Sequence, residues 1–173
     1  MKLFTLFTSL LVVSSTGSAN FLQLDRRAAI QPIVDPTAIP LSPTGGGTYP
    51  RLLNVQGAAI LAAYKVLADD GVSTLFISRS TDGGKSFSAW GTVTSGKGDI
   101  DNPDLIQLPS NGPIICTFRN HDKNSSGDYT FYRITAAISK DGGRNWSFLS
   151  QVDQRPAANP NENGLWVYIA QVT

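Results

Sequence analysis

Ser80-Thr81-Asp82-Gly83-Gly84-Lys85-Ser86-Phe87 and Ser139-Lys140-Asp141-Gly142-Gly143-Arg144-Asn145-Trp146 are two copies of one turn, Ser-x-Asp-x-Gly-x-x-aromatic. Aspartate can bond its own backbone two residues on, glycine takes positive φ without a Cβ clash, and an aromatic residue opening the next strand can tie the corner to a core. The first copy follows the apolar run Leu75-Phe76-Ile77 and the second follows Arg133 to Ile138. Both are read as hairpin corners between strands. Ser80, Asp82, Gly84 and Phe87, with Ser139, Asp141, Gly143 and Trp146, form the structural set.

Matching outward from the corners yields a repeat of about 59 residues. Tyr49-Pro50-Arg51-Leu52-Leu53 aligns with Asn102-Pro103-Asp104-Leu105-Ile106, and Ile60 to Lys65 aligns with Ile114 to Arg119. The expected strands are 49–55, 58–66, 72–80 and 87–94, then 103–108, 113–120, 129–139 and 146–152. Four antiparallel strands at this period make a propeller blade. The expected fold is therefore all-β: an incomplete β-propeller with two four-stranded antiparallel blades, residues 48–97 and 98–155, and the start of a third over 156–173.

Residues 1–19 read as a signal peptide: Lys2 is basic, Leu3 to Val13 is mostly apolar, and Gly17-Ser18-Ala19 suits cleavage. The expected location is therefore extracellular. Residues 20–47 are a Pro/Gly-rich lead-in, read either as an extended linker or as a source of an outer strand between Ile30 and Ile39.

With 41% hydrophobic and 16% charged residues the chain is globular, and its net charge of +1 is scattered. Neither nucleic acid nor membrane is an expected partner. One cysteine and one histidine cannot assemble a structural zinc site. No cofactor or metal is expected, and Cys116, in an apolar run, is read as core filling. Asn124-Ser125-Ser126 is a glycosylation acceptor on a loop, whereas Asn145-Trp146-Ser147 lies inside the second turn.

The turn resembles the Asp-box of sialidase-like propellers. A longer ordered set is similar to the fungal secreted exo-arabinanases of glycoside hydrolase family 93: Gly47 to Leu52, Ser78 to Lys85, Gly98 to Asn102, Phe118 to Asp122 and Asn163 to Trp166. The resemblance implies a six-bladed propeller cleaving glycosidic bonds of a neutral polysaccharide in an axial funnel. It implies Arg51, Asn102, Arg119, Asn120, His121 and Trp166 as substrate-binding residues. His121 also reads as an ordinary loop histidine.

Glycoside hydrolysis asks for two carboxyl groups flanking the bond. The single glutamate, Glu162, reads as a solvated loop residue, and Val167 stands where the family places a catalytic glutamate after Gly-Leu-Trp. Asp101 and Asp104 are the remaining weak catalytic candidates. With Asp99 they cluster just before the expected inner strand of the second blade, a segment that also reads as an Asp/Gly-rich turn. Asp104, at the repeat position of Arg51, is expected to face it near the funnel. Asp69 and Asp70 lie in an Asp-Asp-Gly sequence that reads as a turn.

Two blades cannot close a ring, so apolar faces are expected to stay wet and to promote self-association. Val167 to Thr173 leaves the family pattern, and the expectation is an ending read into an unspliced intron. Two functions follow: an N-terminal part of a secreted hydrolase, inactive alone, or a sugar-binding lectin assembled from several chains.

Overall fold

The computed structural model describes residues 37–57, 59–158 and Gly164, all in one compact unit. Eight strands follow in order: β1 (Thr48–Val55), β2 (Ala59–Leu67), β3 (Ser73–Ser80), β4 (Ser88–Gly96), β5 (Asp99–Gln107), β6 (Ile114–Lys123), β7 (Tyr129–Ser139) and β8 (Ser147–Pro156). They form two antiparallel four-stranded sheets ordered β1-β2-β3-β4 and β5-β6-β7-β8. β5 is the largest departure from expectation. It starts at Asp99 rather than near 103, so Asp99 and Asp101 lie within the strand and not in a turn before it.

β2 is apolar on both faces, the pattern of a strand buried on both sides. Leu61 and Ala63 join Leu75 and Ile77 of β3 and pack on Leu105, Cys116, Phe118 and Ala137 of the second sheet. This seam is the core. Burial of a large apolar side chain contributes about 1.5–3 kcal/mol, so the seam dominates the stability of the pair. Cys116 is fully buried there, and burial followed by the charge of Asp104 pushes its thiol well above the usual range. The thiol fills space and is not a nucleophile.

The sheets also meet at the second turn. Trp90 Nε1 on β4 donates to Gly142 O at 3.0 Å, and the Arg79 guanidinium lies 4.5 Å from the Trp90 ring centre. Gly91 faces the carbonyls of Gly143 and Arg144 so closely that a Cβ would lie 2.5 and 2.6 Å from their oxygens.

Both turns are clamped alike. Ser80 Oγ accepts from the Gly84 N–H at 2.9 Å and donates to Asp82 Oδ1 at 2.7 Å; Ser139 does the same for Gly143 and Asp141 at 2.8 and 2.9 Å. Asp82 Oδ1 accepts the N–H groups of Lys85 and Ser86, each at 3.0 Å, and Asp141 Oδ1 those of Arg144 and Asn145 at 3.2 and 2.9 Å. The aspartate therefore reaches three and four residues on, not two, because the two consecutive positive-φ glycines turn those amides inward. The Ser86 hydroxyl, then Ser80, holds Asp82 far below the usual carboxylate range. The Asn145 backbone and side chain hold Asp141 at about 2. Trp146 packs against the core, whereas Phe87 does not join it.

The expectation of wet faces holds only in part. Leu52 on β1 is 60% exposed, and Phe148 and Val152 on β8 are 69% and 58% exposed. Ala62 and Tyr64, on the face of the first sheet turned from the seam, are buried, as are Tyr132, Ile134 and Ala136 on the second. Residues 37–47 form no strand. They lie on the first of these faces, where Ser78 Oγ donates to Leu41 O at 2.6 Å. Residues 1–36, which include the expected signal peptide, Glu162 and the tail from Leu165 lie outside the described residues.

Candidate functional site

Both inner strands begin with the same kink. Tyr49 and Asn102 have φ of 51° and 48°, each precedes a proline, and each sits at a register shift in its strand pair. Such a bulge re-aims the side chains around it. It leaves Thr48 opposite Lys65 and Asp101 opposite Arg119. Lys65 and Arg119 thus hold equivalent places in the two repeats, and both cations converge on the carboxylates that open β5.

Lys65 Nζ is 3.1 Å from Asp101 Oδ2 and 4.0 Å from Asp99 Oδ1. Arg119 Nη2 is 3.1 Å from Asp99 Oδ2 and 3.3 Å from Asp101 Oδ2. Tyr129 Oη donates to Asp99 Oδ2 at 2.7 Å. All four charged side chains are largely buried. Burial alone would raise Asp99, but the Tyr129 hydrogen bond and the charges of Arg119, Lys123 and Lys65 outweigh it and hold the group below its ordinary value. Burial and the bond to Asp99 push Tyr129 up to about 12, so the phenol stays a donor.

His121 closes one side. Its ring makes edge contacts with Tyr129 and Tyr132, at centroid distances of 5.7 and 4.8 Å. The Arg133 N–H donates to Nδ1 at 3.1 Å, which assigns the proton of the neutral ring to Nε2. Nε2 is buried without a hydrogen-bond partner among the described residues, and Gly164 packs so tightly on it that no Cβ would fit. Burial, then the charge of Arg119, pushes His121 down to about 4.

The sign of the linkage follows. Between about 4 and 6.5 the unfolded chain binds a proton that the folded chain refuses, so stability is lost as pH falls through that window. His121 is the sole histidine of the sequence, so its proton NMR titration is unambiguous. A midpoint near 4 is expected; a midpoint near 6.5 would show a solvated ring.

The site gathers Asp101, Arg119 and His121 and leaves other expected residues apart. Arg51 is exposed and donates to its neighbour's carbonyl, Pro50 O, at 3.1 Å, while Asp104 Oδ1 accepts from the Leu105 N–H at 2.9 Å. No hydrogen bond or ion pair joins these two among the described residues, and each bonds a neighbouring backbone group instead. Asp104 lies opposite Thr117, two residues along β6 from Arg119, and spends its carboxylate locally. Asn102 forms the bulge itself. The Asn120 side chain turns to Thr135 Oγ1, at 3.4 Å. Asp70 accepts the Val72 N–H at 3.0 Å in an exposed turn. Trp166 lies outside the described residues. Lys65 and Tyr129 were not foreseen as site residues; the alignment of Lys65 with Arg119 was the available signal for the first.

The site presents two carboxylates tied to two cations, with a phenol donating to one of them. Among the described residues no group of three or more His, Cys, Asp or Glu could hold a metal ion.

No protein-family model and no curated protein matches the chain. Solved structures do. A variant of the α-L-arabinofuranosidase Arb93A from Fusarium graminearum, in complex with an iminosugar inhibitor, is 24% identical with a TM-score of 0.54. The GH93 α-L-arabinofuranosidase of Fusarium graminearum in complex with arabinobiose is 25% identical with a TM-score of 0.54. Each match covers 67% of this chain and 34% of the other, so the chain spans about a third of their length. The two sheets are two blades of an incomplete propeller of the architecture those proteins share.

Proposed function

We propose that these blades form one wall of the sugar-binding funnel of a secreted, arabinanase-like glycoside hydrolase acting on neutral polysaccharide, and that they orient substrate without supplying the catalytic pair. One observation carries this reading: Asp99 and Asp101 are both tied to Lys65 and Arg119 at the ends of the inner strands. Hydrolysis of a glycosidic bond needs a carboxyl group that holds a proton at working pH. Asp99, held below its ordinary value, is ionised there and cannot be that acid. The two turns, in this reading, are Asp-boxes that brace the wall, and the catalytic carboxyls belong to other blades of a complete ring. The likeness to the arabinobiose complex supports the class of sugar.

The test is a titration of the chain with arabinobiose, followed by amide NMR, beside an assay of sugar release from linear arabinan. Shifts confined to the amides of Lys65, Asp99 to Asn102, Arg119 to His121 and Tyr129, with no release, are expected. Release by this chain alone, or no shift at millimolar sugar, would contradict the proposal.

The exposed Leu52, Phe148 and Val152 favour a second reading, a non-catalytic lectin in which several copies complete the ring. Size exclusion separates the two: a discrete ring of identical chains supports the lectin, and its absence supports the hydrolase wall.

A further inference from the structure

Two Asn-x-Ser sequences lie among the described residues, at Asn124 and Asn145, both exposed but in different settings. We infer that Asn124 carries an N-linked glycan and that Asn145 does not. The inference rests on the secreted reading above, because the transfer occurs along the secretory route.

Asn124 opens the exposed turn between β6 and β7. Its Oδ1 accepts the Ser126 and Asp128 N–H groups, both at 2.9 Å, and its Nδ2 donates to Asp128 Oδ2 at 3.2 Å. N-glycosylation replaces one of the two Nδ2 hydrogens and leaves Oδ1 untouched. The two bonds that shape the turn therefore survive, and one N–H remains for Asp128. An open hollow of about 510 Å³, lined by Gly127, Asp128, Tyr129 and Ala157, lies beside the turn and gives the first sugar room. In the transfer, Nδ2 bonds to C1 of a lipid-diphosphate-linked oligosaccharide. The C1–O bond to phosphate breaks, the lipid diphosphate leaves with the electron pair, and the displaced Nδ2 proton goes to a base of the transferase.

At Asn145 one Nδ2 hydrogen would likewise remain, but the modified nitrogen is the one that closes the turn clamp. Asn145 clamps Asp141 Oδ2 with Nδ2 at 2.6 Å while its backbone N–H bonds Asp141 Oδ1 at 2.9 Å. The preceding residue, Arg144, abuts Gly91 and lies 5.3 Å from the Trp90 ring centre. A glycan there would stand on the seam between the sheets and compete with the clamp.

The full chain is expressed in a yeast secretory host in two forms, one with its own first 19 residues and one with the host's secretion leader. Intact mass and peptide mapping, before and after endoglycosidase, are read on secreted and cell-associated material. One glycan at Asn124 is expected in the host-leader form. It should vanish in Asn124→Gln and Ser126→Ala and persist in Ser147→Ala. An unmodified Asn124 in the host-leader form, or a glycan on Asn145, would overturn the inference. A glycan at Asn124 with the host leader but none with the chain's own leader would overturn the secreted reading, and with it the glycan on the native chain, while showing that the Asn124 turn is a competent acceptor.

Discussion

Arg119→Met is expected to destabilise the fold by about 3–5 kcal/mol, the cost of removing one partner from a buried charge network. Arg119 Nη2 lies close to both carboxylates, at 3.1 and 3.3 Å. Without it Lys65 is, among the described residues, the one cation left in an ion pair with the two carboxylates, 4.0 Å from Asp99, while Tyr129 still donates to Asp99 and the Asn102 N–H to Asp101. Methionine replaces most of the aliphatic volume, so the loss reads charge rather than packing. The pH dependence makes the claim specific. In the parent chain Asp99 is depressed, so its share of stability is full above the ordinary carboxylate value and is lost as pH falls through it. In the variant Asp99 loses the Arg119 charge, is less depressed, and protonation relieves part of the lost pairing. The gap between the two urea midpoints should therefore narrow on acidification. A gap below about 1 kcal/mol at neutral pH, the range of exposed ion pairs, would mean that the network is solvated.

Gly91→Ala is expected to cost about 3 kcal/mol, the upper range for overpacking. Its backbone conformation is not the reason, since φ at Gly91 lies outside the left-handed region. The added methyl would meet two backbone carbonyls, and these cannot swing away as a side chain would. The sheets must separate locally, which strains the Trp90–Gly142 hydrogen bond. Urea unfolding followed by tryptophan fluorescence reads both the midpoint and the changed environment of Trp90. An unchanged midpoint would show that the sheets do not pack at this seam.

The repeat made the eight strands legible because its signals are local: apolar runs for the strands, and a Ser-Asp-Gly turn whose hydrogen bonds close within five residues. The site was only half legible. Arg119 and Asp101 came from the repeat and the resemblance, but the β-bulge at Asn102 shifts register between Asp101 and Asp104. That shift sends Asp101 to the cluster and leaves Asp104 to its neighbour. Tyr129 gave no signal, since its bond to Asp99 spans 30 residues and depends on how β5 and β7 lie across β6. Lys65 could have been found, because it stands where the second repeat has Arg119.

The central claim is that Asp99, tied to Arg119, Lys65 and Tyr129, is held ionised and is not the acid of a hydrolase. Titration of the Asp99 side chain by carboxyl carbon NMR tests it most directly. The account predicts a midpoint below the ordinary aspartate value of 3.8. A midpoint near neutrality would make Asp99 a general acid and contradict it.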